Sequence, residues 1–169
     1  MSGQPNGNSV ILSEKSYQEI NTYLGDLLQK SRASLCVFAD MNGYPVSYKT
    51  TRTALNVDTL TALAVNDFSA TAEIAKILGE TQRFRYLYHE GIKQNLYLCN
   101  IGNHYLLIVI FGPHVNLGMI RMLSQHVAGK LDALLNRIRD EKDKVAKYMD
   151  VEFRTLLGQE LDKAFGLKN

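Results

Sequence analysis

Hydrophobic residues recur along this chain with two periods, and the switches between the periods mark out its elements. Tyr17, Ile20, Leu24, Leu27 and Leu28 fall at helical spacing, which predicts an amphipathic helix over residues 13–30. Ser13 is its candidate N-cap, and Glu14 places an anion in the first turn, where the helix dipole favours one. Residues 35–39 are a compact apolar strand. Asn42-Gly43 then predicts a tight hairpin with both central residues at positive φ, and residues 44–49 supply the return strand. Pro45 has no N–H, which confines it to the start of that strand or to an edge.

The period becomes helical again over residues 57–78. Leu60, Ala64, Phe68, Thr71, Ala75 and Leu78 form the core stripe, Asp58 is an N-cap or first-turn acid, and Gly79 is a natural stop. A second stripe, Ala62, Val65, Ser69 and Ala72, carries small residues where a surface helix ordinarily carries Lys and Glu. It predicts a face that another backbone approaches closely. Residues 83–90 alternate, with Phe84, Tyr86 and Tyr88 on one face. Strands over 95–101 and 104–111 follow. The latter is almost wholly apolar, which predicts a central strand covered on both faces.

After Gly112-Pro113 a long helix starts at 115 or 116, with Ile120, Leu123, Val127, Leu131, Leu134 and Ile138 as its stripe. The charge-dense stretch 137–147 reads as a solvated helix end or linker. Phe153, Leu156, Leu157, Leu161, Ala164 and Phe165 then repeat at helical spacing up to Gly166. So short a helix must dock on its own domain or on a partner, and both remain open at this stage. The expected organisation is a flexible lead over 1–12, a domain over 13–140, and a charged linker with a C-terminal amphipathic helix over 141–169.

Composition adds mainly exclusions. With 169 residues, 46% hydrophobic and 21% charged, the chain is neither disordered nor fibrous. A formal net charge of +2 announces neither a nucleic-acid nor a membrane protein. Cys36 and Cys99 sit inside apolar runs and read as core residues in a reducing compartment. No leader pattern and no apolar run approaching the ~20 residues of a membrane span is present, so the expectation is a soluble, cytoplasmic protein. Phosphate loops, metal-ligand spacings and nucleophile–base pairs are all missing, and His89, His104, His114 and His126 are scattered. No catalytic residue, cofactor or metal is therefore expected, and the chain reads as a non-enzyme. The alternation Arg83-Phe84-Arg85-Tyr86-Leu87-Tyr88 suits a single-stranded nucleic-acid platform, yet an exposed edge strand explains it better.

The order of elements, together with particular residues, resembles the roadblock family, that of the dynein light-chain roadblock and its bacterial relatives. The residues are Ala39-Asp40-Met41-Asn42-Gly43 and Val46, the Ala/Ser-rich helix ending in Gly79-Glu80, and Tyr88-His89-Glu90-Gly91. Leu96-Tyr97-Leu98, the strand 106–111 and Asn116-Leu117-Gly118-Met119-Ile120-Arg121 complete the set. Within the family the chain is most similar to the bacterial mutual gliding protein B type, which also carries a segment after the domain.

The resemblance implies an α+β sandwich of roadblock/longin/profilin type. Its five-stranded antiparallel sheet has one helix on one face and two on the other, in the order α-β-β-α-β-β-β-α plus a C-terminal helix. It implies a homodimer through the second helix and the adjacent edge strand, which assigns Ala62, Val65, Ser69, Ala72, Phe84 and Tyr86 to the interface. It further implies a small Ras-like, MglA-type GTPase as partner, in the setting of cell polarity and motility. Its hydrolysis would be stimulated without an inserted arginine finger, with GTP and Mg²⁺ held by the GTPase. Thr61, Asn66, Ala70 and Glu73 on the paired helices, and Phe153, Leu156, Leu157, Leu161 and Phe165 beyond the domain, are the expected partner contacts. The rival reading is a roadblock scaffold or localisation subunit with no effect on hydrolysis. A ligand-sensing domain is a third, signalled by a cavity against Cys36 and Cys99.

Overall fold

The structure, a computed structural model, describes residues 12–165, with side chains described through 161. The flexible lead expected over 1–12, apart from Leu12, and the stop at Gly166 lie outside the described residues. The elements are α1 (Glu14–Ser31), β1 (Leu35–Asp40), β2 (Pro45–Thr50), α2 (Val57–Ile77), β3 (Tyr86–His89), β4 (Asn95–Ile101), β5 (Tyr105–Phe111) and α3 (Leu117–Phe165). They divide into two compact units, residues 12–133 and residues 134–165.

In the first unit the strands form one antiparallel sheet in the order β2-β1-β5-β4-β3. All seven residues of β5 are buried, so the apolar strand does take the centre. Alternation along the strands sends Leu35, Val37, Ala39, Leu98, Leu106, Ile108 and Ile110 to the face where α2 packs Ala64, Val65 and Phe68. Cys36, Phe38, Tyr97, Cys99, Leu107 and Val109 point the other way. On that side Ser47 donates a hydrogen bond to Asn21 of α1 at 3.1 Å, and Arg121 of α3 lies over Tyr86. One helix covers one face and two cover the other.

Caps set the helix ends. The Ser16 N–H donates to Ser13 Oγ at 3.2 Å at the start of α1. For α2 the cap is Asn56, whose Oδ1 accepts from the Thr59 N–H at 3.0 Å, while Asp58 is only a first-turn acid. At the other end Glu80 N–H reaches Ala75 O and Gly79 N–H reaches Lys76 O, a Schellman closure with Gly79 at φ 79°. Leu78 is the C-cap residue of this closure, exposed and not in the core.

Three expectations are corrected. The β1–β2 connection is not a turn with two positive φ values. Gly43 alone is left-handed, at φ 92°, and Asp40 organises the loop. Its Oδ1 accepts from the N–H groups of Asn42 and Tyr44 at 2.9 and 3.0 Å, and its carbonyl accepts from Gly43 N–H at 3.1 Å. That is a type I turn followed by a left-handed glycine. Second, β3 is four residues long, not eight. Tyr86 pairs with Cys99, and the Asn100 N–H still reaches Arg85 O at 2.9 Å, but residues 83 and 84 leave the ladder although Ile101 stands in register with Phe84. Third, residues 137–147 are not a break. No glycine or proline occurs from 130 to 157, and α3 continues as one helix of 49 residues through the second unit. There, Arg154 pairs with Asp150 at 3.2 Å, while Val145, Tyr148, Met149, Val151, Phe153, Leu156, Leu157 and Leu161 are exposed.

Two measurements check the first unit. A Cβ on Gly43 would stand 3.1 Å from the Cα of Ala62 and would sit at a left-handed φ. Gly43→Ala should lower urea stability by ~1–2 kcal/mol or more, whereas Gly25→Ala, within α1 and with open space around it, should raise it by ~0.5–1 kcal/mol. Burial also pushes the Cys36 thiol up to about 12 and Cys99 up to about 11, from an ordinary 9.0. The unfolded chain therefore loses these protons first. Stability should be full below pH 9 and fall as pH rises towards 11, and Cys36→Val should flatten that slope.

Candidate functional site

Within residues 12–133 an unpartnered apolar surface runs along α2. Its inner side is fixed by the sheet, as Val57, Thr61, Ala64, Val65, Phe68, Thr71 and Ala75 are buried. On the opposite side Thr59, Leu63, Asn66, Ala70, Glu73, Ile74 and Ile77 are all exposed, Ile77 at 84%. A solvated helix face would carry charge, but this one carries three large aliphatic side chains and one alanine around a single acid. Glu73 is held to Lys76 at 2.6 Å, which leaves the middle of the stripe almost uncharged.

One flank of α2 is tied to the sheet edge. His89, the last residue of β3, meets Asp67 at 2.6 Å, with both side chains about half exposed. On the other flank Ala62 lets the Gly43 turn come within contact distance. The small residue at 62 therefore serves an approach by this chain's own backbone.

The structure separates the expected interface residues. Val65 is 2% exposed and belongs to the core, so it has no surface to offer a second copy. Ala62, Ser69 and Ala72 are half-buried on the flank, beside the outward stripe and not on it. Phe84 lies outside β3 and is half-buried. Tyr86 points to the face opposite α2, stacked on Tyr97 with ring centroids 5.9 Å apart and capped by Arg121 at 4.4 Å. Its side chain cannot join α2 in one contact, although its edge backbone can.

Of the expected partner contacts, Asn66, Ala70 and Glu73 are exposed together on the outer side of α2. Thr61 is 0% exposed, its Oγ1 is without a hydrogen-bond partner, and it faces the sheet, so it is withdrawn from that set. Phe153, Leu156, Leu157 and Leu161 are exposed on the second unit, and the Phe165 side chain lies outside the described residues. Leu63, Ile74 and Ile77 were missed by reading only the inner stripes. Their signal was present, since α2 carries large aliphatics on two opposite faces, and one sheet can cover only one of them.

Among the described residues no group of His, Cys, Asp and Glu is arranged to hold a metal ion. No helix among them is long and apolar enough to cross a membrane. The arrangement supports chemistry by contact, through apolar burial on α2 and hydrogen bonding along two sheet edges.

Residues 19–111, more than half of the chain, match the Roadblock/LC7 domain. No curated protein sequence matches. Among solved structures, an MglB with a tetrameric arrangement is similar at a TM-score of 0.72 and 26% identity, over 77% of this chain and 97% of that one. The gliding protein MglB of Thermus thermophilus is similar at 0.71 and 26%, over 76% and 97%. MglB of Myxococcus xanthus is similar at 0.71 and 25%, over 76% and 96%. Sheet order, helix placement and the matched segment agree, and the chain belongs to the Roadblock/LC7 domain family.

Proposed function

We propose that this chain acts as a homodimer that binds a small Ras-like GTPase of the MglA type. In this reading it stimulates GTP hydrolysis by repositioning the GTPase's own catalytic residues. The reading is supported above all by the outward stripe of α2, Leu63, Ala70, Ile74 and Ile77, exposed on a fold similar to MglB over three quarters of the chain. The tetrameric arrangement of one such neighbour supports self-association. Two copies meeting along α2 would bury the stripe and leave Asn66 and Glu73 at the rim, where polar groups of a partner can be satisfied. Nucleotide and Mg²⁺ would belong to the GTPase. The charged side chains of this chain would act on its loops and not on the phosphates.

The exposed apolar residues of 145–161 supply a second contact, tethered to the first through α3. Tethering turns a weak helix-face contact into an intramolecular one and raises its effective concentration.

The dimer is tested first. Ala70→Glu and Ile74→Asp, each on an exposed position, should shift the mass measured by light scattering from dimer towards monomer while leaving far-UV circular dichroism unchanged. A dimer that survives both substitutions removes α2 as the interface.

Turnover is tested with a purified MglA-type GTPase. Phosphate release should rise on adding this protein, and deleting residues 150–169 should weaken binding or change turnover with the dimer intact. Binding without acceleration at saturating protein replaces this reading with that of a scaffold. A deletion without effect on either quantity removes the second contact.

A further inference from the structure

A cavity of about 330 Å³ opens on the side of the sheet away from α2, lined by Arg85, Tyr86, Cys99, Asn100, Gln125 and Ala128. It takes Arg85 just before β3, Tyr86 within it, Cys99 and Asn100 of β4, and Gln125 and Ala128 from beyond the second turn of α3. Its size stands at the low end of small-molecule sites, which run from ~300 to ~1,000 Å³.

Charge decides what it can hold. Arg85 lines it, and the guanidinium of Arg121 lies 4.4 Å above the ring of Tyr86, another lining residue. Neither arginine is in an ion pair among the described residues. The lining contains no carboxylate. Burial pushes the Cys99 thiol up to about 11, so it stays neutral at ordinary pH and supplies no anion of its own. Two exposed guanidinium groups without an ion-pair partner, Arg85 in the lining and Arg121 beside it, therefore flank one concave, partly aromatic site. Arginine is the side chain best matched to the flat, two-oxygen edge of a carboxylate or phosphate.

Unspent polar groups lie around it. Tyr97 stacks on Tyr86 and is 1% exposed, and its hydroxyl has no hydrogen-bond partner. Asn100, in the lining, donates Nδ2–H to Gly102 O at 2.7 Å but leaves its buried Oδ1 unpaired. A buried polar group without a partner costs ~1–3 kcal/mol. Tyr97 lies outside the lining and its hydroxyl is closed off, so the neutral donor that faces the cavity is the Gln125 amide.

We propose that the cleft between β3, β4 and α3 binds a small anion through a carboxylate or phosphate group, held by Arg85 and Arg121 with Gln125 as a further donor. The site shares no residue with the outward stripe of α2. It stands or falls independently of the GTPase reading.

The test is a two-dimensional NMR titration of the full-length, ¹⁵N-labelled chain with sodium phosphate and, separately, sodium acetate, against sodium chloride at matched ionic strength. Saturable shifts confined to the amides of 85–86, 99–100 and 121–128 are expected with at least one of the two oxyanions, and which one responds assigns the group. Arg121→Gln should weaken that binding about tenfold or more, as expected for loss of a charge-assisted hydrogen bond. Arg85→Gln, outside any strand, guards against misfolding of the Arg121 variant and should weaken binding in the same direction. Shifts that do not saturate with either oxyanion, or that match those of chloride, overturn the proposal. So does saturable binding that survives both arginine substitutions.

Discussion

The structure depends on burying one strand completely. β5 lies in the middle of the sheet with no exposed residue, so neither of its faces can be left to water. A strand of this kind obliges the chain to supply apolar cover on both sides. α2 covers one side, and α1 with the start of α3 covers the other. The neighbours β1 and β4 share the constraint, with Leu35, Val37 and Leu98 facing α2 and Cys36, Phe38 and Tyr97 facing away. The outer strands are released from it, which is why β2 and β3 hold half-exposed residues, a proline and short ladders. Those are the positions where pairing to another chain remains open.

The same constraint explains how much could be read in advance. Element types follow from period, and the period is sharp wherever one face or both must be buried. The helix at Ser13, the strand over 35–39 and the apolar strand ending at Phe111 were legible for that reason. The ends of β3 and the turn at Asp40 were not. β3 stops short of residues that β4 could still pair with, which the alternation over 83–90 does not announce. The Asp40 turn depends on a side chain closing onto backbone N–H groups, and Asn-Gly alone does not distinguish that loop from a two-residue hairpin. The uninterrupted α3 was legible in the absence of glycine and proline from 130 to 157, but the mixed charges of that stretch resemble a linker.

The candidate surface was only half legible, and the reason is geometric. Small residues at 62, 65, 69 and 72 look like an interface because backbones approach closely over them. Here one is core and one is taken up by the Gly43 turn. Size identifies close approach, but it does not say whose backbone approaches. The outward stripe carries large residues instead, and it becomes visible only once the inner stripe has been assigned to the sheet. Tyr86 shows a similar limit. Alternation places it on a face, and only the stack with Tyr97 and Arg121 shows which helix shares that face.

Magnitudes then bear on what a proposed pairing through α2 would require. Burying one large aliphatic side chain is worth ~1.5–3 kcal/mol at full effect, and the three on this stripe are already partly covered. Two copies contribute six such side chains, at a fraction of that value each. Association costs ~4–15 kcal/mol in lost freedom before any surplus appears. The two quantities are of the same size, so an α2 stripe by itself makes a weak dimer. A tighter one needs a second term that adds no further loss of freedom. The edge backbone of β3 is placed to supply it, because His89 and Asp67 hold the end of that strand against the flank of α2. Helix face and strand edge are thereby fixed in one rigid unit, and a partner that engages one is already positioned on the other.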